Sequence, residues 1–275
     1  MQTPHLHEHL LHLQRQILHR RRLLAWMGGA ALLPACGGGG DATSSTAAPT
    51  TPSTPSTPSS CSLIPEETAG PYPGDGSNSA GGQIANALAL AGIVRRDMRS
   101  SIAGASGVAQ GLPLTVNLQL VNVNGSCASL ADYAVYLWHC DREGRYSMYS
   151  AGVTNENYLR AVQATGSDGR LSFQTIFPGC YDGRMPHMHF EVFRSTAQAS
   201  QFSNKIRTSQ LAFPTDICQA VYNGVAGYEA SRTNFARISF ASDNVFSDGV
   251  SLQLAALTGD LTNGYTATLS VGVNA

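Results

Sequence analysis

The residues best suited to chemistry lie in Gly179-Cys-Tyr-Asp-Gly-Arg-Met-Pro-His-Met-His-Phe190. Along an extended strand, residues two apart point the same way. His187 and His189 therefore present two imidazoles on one side, and Met188 and Phe190 form an apolar opposite side. Imidazoles at this spacing suit a transition metal, and the remaining donors decide which one. A carboxylate a few residues beyond the second histidine would complete one kind of site, but Glu191 simply continues the histidine face. Cys180 is the one cysteine near the pair, and tyrosines are more abundant nearby: Tyr146, Tyr149, Tyr158 and Tyr181. A free phenol titrates at about pH 10 and is a poor ligand at neutral pH. A hard trivalent cation such as Fe(III) can ionise it. Copper or zinc held by the two histidines is the competing reading.

The segments around this stretch read as strands. Leu114-Thr-Val-Asn-Leu-Gln-Leu120 alternates apolar and polar residues, the period of a half-buried strand. Asn124-Gly125 follows as a turn. Ala134-Val-Tyr-Leu-Trp138 and Leu171-Ser-Phe-Gln-Thr-Ile176 read as further strands, the latter stopped by Pro178-Gly179. Met188, Phe190 and Val192 mark a fourth strand and Thr266-Ala-Thr-Leu-Ser-Val271 a late one; a weak helical pattern covers residues 209–222. With 28 glycines, 13 prolines and only 13% charged residues, the chain is expected to be all-β, a β-sandwich with turn-rich connections. Its formal net charge of −1 points away from nucleic acid as a partner.

The first sixty residues have a different character. Arg20-Arg21-Arg22 precedes a short apolar run, Leu23 to Ala35, as in a twin-arginine export signal. Leu33-Pro34-Ala35-Cys36 has the form of a lipoprotein cleavage box, with Cys36 the lipidation candidate. His5, His7, His9, His12 and His19 fall in the segment that such processing removes. Residues 37–60, Gly-rich and then rich in Pro, Ser and Thr, read as a tether. The expected organisation is thus an export signal over residues 1–36, a linker over 37–60 and one folded domain over 61–275. The protein is expected outside the cytoplasm, periplasmic or at the cell surface, touching a membrane only through a lipid anchor.

Several ordered motifs together resemble the intradiol ring-cleavage dioxygenases, the family of the catechol and protocatechuate dioxygenases. They are Glu67-Thr-Ala-Gly-Pro-Tyr72, Trp138-His-Cys-Asp-Arg-Glu-Gly-Arg-Tyr146, Tyr158-Leu-Arg160, Pro178-Gly179 and Gly183-Arg-Met-Pro-His-Met-His189. The resemblance implies an Fe(III) cofactor held by Tyr146, Tyr181, His187 and His189. It makes Arg184 the group that stabilises negative charge on the substrate ring, and Gln210 a pocket residue beside it. Pro71 and Tyr72 match a segment that closes over the substrate. The implied substrates are a catechol and O2, and the implied product is a muconate-type dicarboxylate, with Tyr181 displaced as the diol binds. The stretch from Tyr181 to His187 is shorter than in the protocatechuate enzymes and that from His189 to Gln210 longer, which bears on pocket shape. The alternative is an exported β-sandwich lipoprotein that binds a ligand or partner around a relic metal site. Oligomeric state stays open, a homodimer included.

Of the six cysteines, removal with Cys36 as the modified residue leaves five for the folded part. Up to two disulfides and one free thiol are expected in an exported protein. Cys140 and Cys180, which sit beside the two tyrosines implied as ligands, are expected to pair first.

Overall fold

The computed structural model describes residues 61–275. The export signal, Cys36, the histidines before it and the tether lie outside the described residues.

A short hairpin comes first, β1 (Asp75–Ala80) and β2 (Gln83–Asn86). It is followed by β3 (Pro113–Asn122), β4 (Ala128–Ser129), β5 (Ala134–Trp138), β6 (Arg160–Ala164), β7 (Arg170–Ile176), β8 (His187–Phe193) and β9 (Arg207–Ala212). Two short helices, α1 (Thr215–Gly224) and α2 (Glu229–Phe235), precede β10 (Ala256–Asp260) and β11 (Gly264–Val273). Each strand read from the sequence is present. The weak helical pattern over residues 209–222 resolves into two elements. Ser209 to Ala212 complete β9 by pairing with β8, and the helix starts only after Pro214. Proline lacks an N–H and fixes φ, so it suits the start of a helix rather than its interior.

Two sheets pack face to face. The first runs β10-β11-β3, with β7 and β4 both pairing the far side of β3. Its alternation is read directly from burial: Leu114, Val116, Leu118 and Leu120 point in, and Thr115, Asn117 and Gln119 are partly exposed. The second sheet is antiparallel in the order β6-β5-β8-β9. Its inner face supplies Val135, Leu137, Ala161, Met188, Phe190, Val192 and Leu211 to the shared core.

The second sheet differs in that its outer face is also covered. Every residue of β5 and β8 is buried. Tyr136, Trp138, Val162 and Phe193 form a second apolar cluster with Ala87, Leu88, Ile93 and Tyr146, which come from the segment before β3 and the loop after β5. Between that cover and the sheet lie the polar side chains His187, His189, Glu191, Arg160 and Gln210, all nearly inaccessible to solvent. Buried polar groups are costly unless they are paired or have a task.

The cysteine pairing differs from expectation. Cys61 and Cys127 form a disulfide, and Cys140, Cys180 and Cys218 are free and buried. Leu63 bridges Gly272 in parallel beside β11, so the start of the described chain runs along the first sheet toward the turn after β3 where Cys127 lies. Cys140 packs in the outer cluster and Cys180 in the sandwich core. Each thiol turns to a carbonyl instead, Cys140 to Gly179 at 3.5 Å and Cys180 to Arg184 at 3.3 Å. Among the described residues no helix is long and apolar enough to cross a membrane.

Candidate metal centre

Strand alternation places His187 and His189 on the covered face of β8 with their Nε2 atoms 3.0 Å apart. His187 Nδ1 lies 2.6 Å from the Met185 carbonyl. A carbonyl only accepts, so Nδ1 carries the proton and the Nε2 lone pair faces the site. Burial, reinforced by Arg184, holds His187 well below the usual histidine range. Burial and the neighbouring His187 do the same to His189. Both rings are therefore neutral at physiological pH, the form that binds a metal.

Two loops bring the phenols. Tyr181 Oη is 3.2 Å from His187 Nε2. The Tyr146 ring lies edge-on to both Tyr181 and His189, at centroid distances of 5.6 and 6.3 Å. Its Oη is buried with no hydrogen-bond partner among the described residues. The loop that carries Tyr146 is knotted by Asp141, whose carboxylate accepts from the Glu143 and Arg145 N–H groups and from Arg145 Nε. It then turns at Gly144, where φ is +84° and an added Cβ would lie 3.1 Å from Tyr181 Cβ. Close approach of the two tyrosine loops thus needs glycine there.

Burial pushes Tyr146 well above the usual phenol range and Tyr181 up to about 12. Neither ionises unaided near neutrality. Two neutral imidazoles, a buried orphan phenol and a partly buried one suit a strongly polarising oxygen-loving cation that can ionise phenols. Among the described residues no three His, Cys, Asp or Glu side chains converge as a metal site. A divalent ion of the usual carboxylate or thiolate kind has no donor set here.

The surroundings hold these groups still. Trp138 stacks on His189, and Gly70 covers the ring from the segment before β1, where a Cβ would lie 3.2 Å from His189 Cε1. Arg184 is fixed by Asp243, whose carboxylate accepts from Arg184 Nε at 3.0 and 3.1 Å and from the N–H groups of Met185, Val245 and Phe246. Arg184 Nη2 donates to Gln210 Oε1 at 2.7 Å, and Gln210 Nε2 donates to the Thr68 carbonyl at 2.9 Å. Tyr72 packs on Tyr146 with centroids 4.9 Å apart.

The structure therefore brings together Tyr146, Tyr181, His187, His189, Arg184, Gln210 and Tyr72. Pro71 lies in the covering segment, its carbonyl accepting from Asn78. The other tyrosines serve elsewhere. Tyr149 Oη donates to Asn78 and accepts from Gly74 N–H, and Tyr158 Oη reaches only Asp141 at 3.4 Å. Sequence reasoning missed Asp243, which lies far along the chain from Arg184 with no motif around it. It also gave no role to Arg160, although an arginine opening an apolar strand was a visible signal.

Comparison with known proteins follows the same direction. Residues 96–226 match the family described as Dioxygenase. No curated protein matches the chain. Among solved structures, an intradiol ring-cleavage dioxygenase from Tetranychus urticae superposes with a TM-score of 0.59 at 23% identity, covering 78% of this chain and 95% of that one. The dioxygenase domain of a dioxygenase carbohydrate-binding fusion from a cellulolytic Streptomyces gives 0.47 at 21% identity, covering 78% and 99%. A 3-chlorocatechol 1,2-dioxygenase from Rhodococcus opacus gives 0.41 at 18%, covering 60% and 61%.

Proposed function

We propose that the chain, whose residues 96–226 match the dioxygenase family and which has the fold of the intradiol ring-cleavage enzymes, is an Fe(III)-dependent dioxygenase that cleaves a catechol between its two hydroxyl carbons to a muconate-type dicarboxylate. One observation carries the reading. His187 Nε2 lies 3.0 Å from His189 Nε2 and 3.2 Å from Tyr181 Oη, beside a Tyr146 phenol that is buried and unpartnered among the described residues.

Tyr146, Tyr181, His187 and His189 would hold the ion. When bound, ferric iron would supply a Lewis acid and template for the diol oxygens. The chain's own groups do the rest. Tyr146 would be the fully buried ligand and Tyr181 the more accessible one. Tyr181 Oη, beside His187 Nε2, would be placed to take a proton from one catechol hydroxyl. Arg184, its head held by Asp243 and Gln210, keeps a fixed positive charge where negative charge develops on the ring. Gly70, Pro71 and Tyr72 close the covered side and limit water.

The Cys61–Cys127 disulfide supports an oxidising compartment, in line with export directed by residues 20–36 and a lipid on Cys36. The test is a visible spectrum of the full chain purified without chelator. A broad tyrosinate-to-iron band should shift on anaerobic addition of catechol and return as oxygen is admitted. Tyr146→Phe and His189→Ala should each bleach it and abolish oxygen uptake. A protein that stays colourless after iron loading would overturn the reading.

A further inference from the structure

A second set of polar groups gathers against Arg184, and the metal ligands do not use it. The segment before β1 is tied to β9: Glu67 N–H donates to the Thr208 carbonyl at 2.9 Å, and the Thr68 carbonyl accepts from Gln210. The same segment continues to Gly70, which lies against His189. Gln253, fully buried, donates through Nε2 to the Gln210 carbonyl at 3.2 Å and, at a long 3.5 Å, to Glu67 Oε1. Its own Oε1 is buried with no partner among the described residues.

The balance of donors and acceptors is uneven. Arg184 already gives Nε to Asp243 and Nη2 to Gln210. Both Asp243 oxygens are taken. Glu67, half-buried, is left with one weak contact, and Gln253 Oε1 with none. The charge balance leans the same way. Burial and then Asp248 raise Glu67 to about 7, Gln253 and Arg184 lower it, and Asp243 raises it further.

We propose that Glu67 and Gln253 form a substituent subsite, which selects catechols that carry a hydrogen-bond donor on the ring, a hydroxyl or an ammonium, over catechols that carry a carboxylate. The proposal rests on the ring-cleavage reading and deepens it. A donor satisfies acceptors that are otherwise costly to leave unpaired. A ring carboxylate brings only acceptors and leaves the buried Gln253 Oε1 unpaired. Gln210 and Arg184 connect this subsite to the metal side.

The experiment uses the iron-loaded full chain with three probes: 1,2,4-trihydroxybenzene, 4-(2-aminoethyl)catechol and 3,4-dihydroxybenzoate. The ratio of kcat/KM for each donor-bearing probe to that for the carboxylate probe should exceed about tenfold. Glu67→Gln should move the ammonium-to-carboxylate ratio toward the carboxylate by about tenfold. Partial misfolding scales both probes alike and leaves the ratio alone. Dissociation constants measured by calorimetry without oxygen should show the same ordering, which reads the subsite even if no ring is cleaved. Failure of turnover with the ordering intact would overturn the catalytic reading and keep the subsite. A preference for 3,4-dihydroxybenzoate, or a ratio unmoved by Glu67→Gln, would overturn the subsite.

Discussion

Trp138 lies flat against His189, their ring centroids 5.0 Å apart and their planes 5° from parallel. The two residues are register partners on the adjacent strands β5 and β8, so strand pairing itself sets the stack. Tyr136 continues the column, 5.0 Å from Trp138. An imidazole wedged between an indole and Gly70 has little freedom to turn. Trp138→Leu should therefore loosen His189 as well as open a cavity. Loss of the indole should cost about 3 kcal/mol in denaturant unfolding. Iron should leave to a competing chelator about tenfold faster. An unchanged rate of iron loss would mean that the stack packs the core without orienting His189.

Asp243 is the hub for Arg184. It has no accessible surface and accepts from Arg184 and from three backbone N–H groups. Asp243→Asn keeps the size but replaces one acceptor oxygen with a donor, facing groups that can only donate. We expect kcat/KM for catechol to fall by about 10- to 100-fold with iron content retained. Loss of iron in parallel with activity would show that Asp243 supports the fold of the site rather than the arginine.

Legibility from sequence followed the local signals. The alternation in Leu114 to Leu120 and the His-x-His pair produced the elements and the face that the structure contains, because period-2 patterning is local. The weak helical pattern over residues 209–222 mixed the end of a strand with the start of a helix, and pairing of Gln210 with His189 decided between them. Cysteine pairing was out of reach for a similar reason. Cys140 and Cys180 are beside the two tyrosines in sequence but pack in different clusters, while Cys61 meets Cys127 through the placement of the first segment beside β11. Asp243 and Gln253 reach the site through tertiary contacts alone, and no spacing announces them.

The disulfide should contribute to stability without touching the candidate metal centre. It closes a loop with a sequence separation of 66 residues, worth about 4 kcal/mol on chain-entropy grounds. Cys127→Ser should lower unfolding stability by that order, with the visible iron band unchanged. Peptide mapping of the oxidised protein should recover Cys140, Cys180 and Cys218 as thiols. A Cys140–Cys180 peptide would contradict the structure directly.

His139 should make the metal-free protein acid-sensitive. The ring is buried between the Cys140 carbonyl and the Thr175 hydroxyl, at 2.8 and 2.7 Å, and burial lowers its pKa from 6.5 to about 4. The folded state therefore favours the neutral ring. Its contribution is whole above about pH 6.5 and is lost as the pH falls through about 4. The loss should be on the order of 3 kcal/mol. The difference in unfolding free energy between the native sequence and His139→Gln should shrink across that window. A difference independent of pH would place the acid sensitivity on other groups.

Arg160 joins the covering segment to the loop of Tyr146. It is fully buried and has five contacts: Nη1 to the Pro73 carbonyl at 2.6 Å and to Tyr136 Oη at 3.1 Å, Nη2 to the Tyr72 and Ser147 carbonyls at 3.0 Å each, and Nε to Ser147 Oγ at 3.1 Å. Tyr72 packs on Tyr146, and Ser147 follows Tyr146, so one guanidinium holds both walls of the pocket. Lysine cannot reproduce the planar fork. Arg160→Lys should let residues 72–74 swing away, raising KM for catechol by about tenfold while kcat changes much less. Limited proteolysis should cut first near those residues. Equal losses in kcat and kcat/KM, with no new cleavage site, would mean that Arg160 acts on the reacting centre and not on the cover.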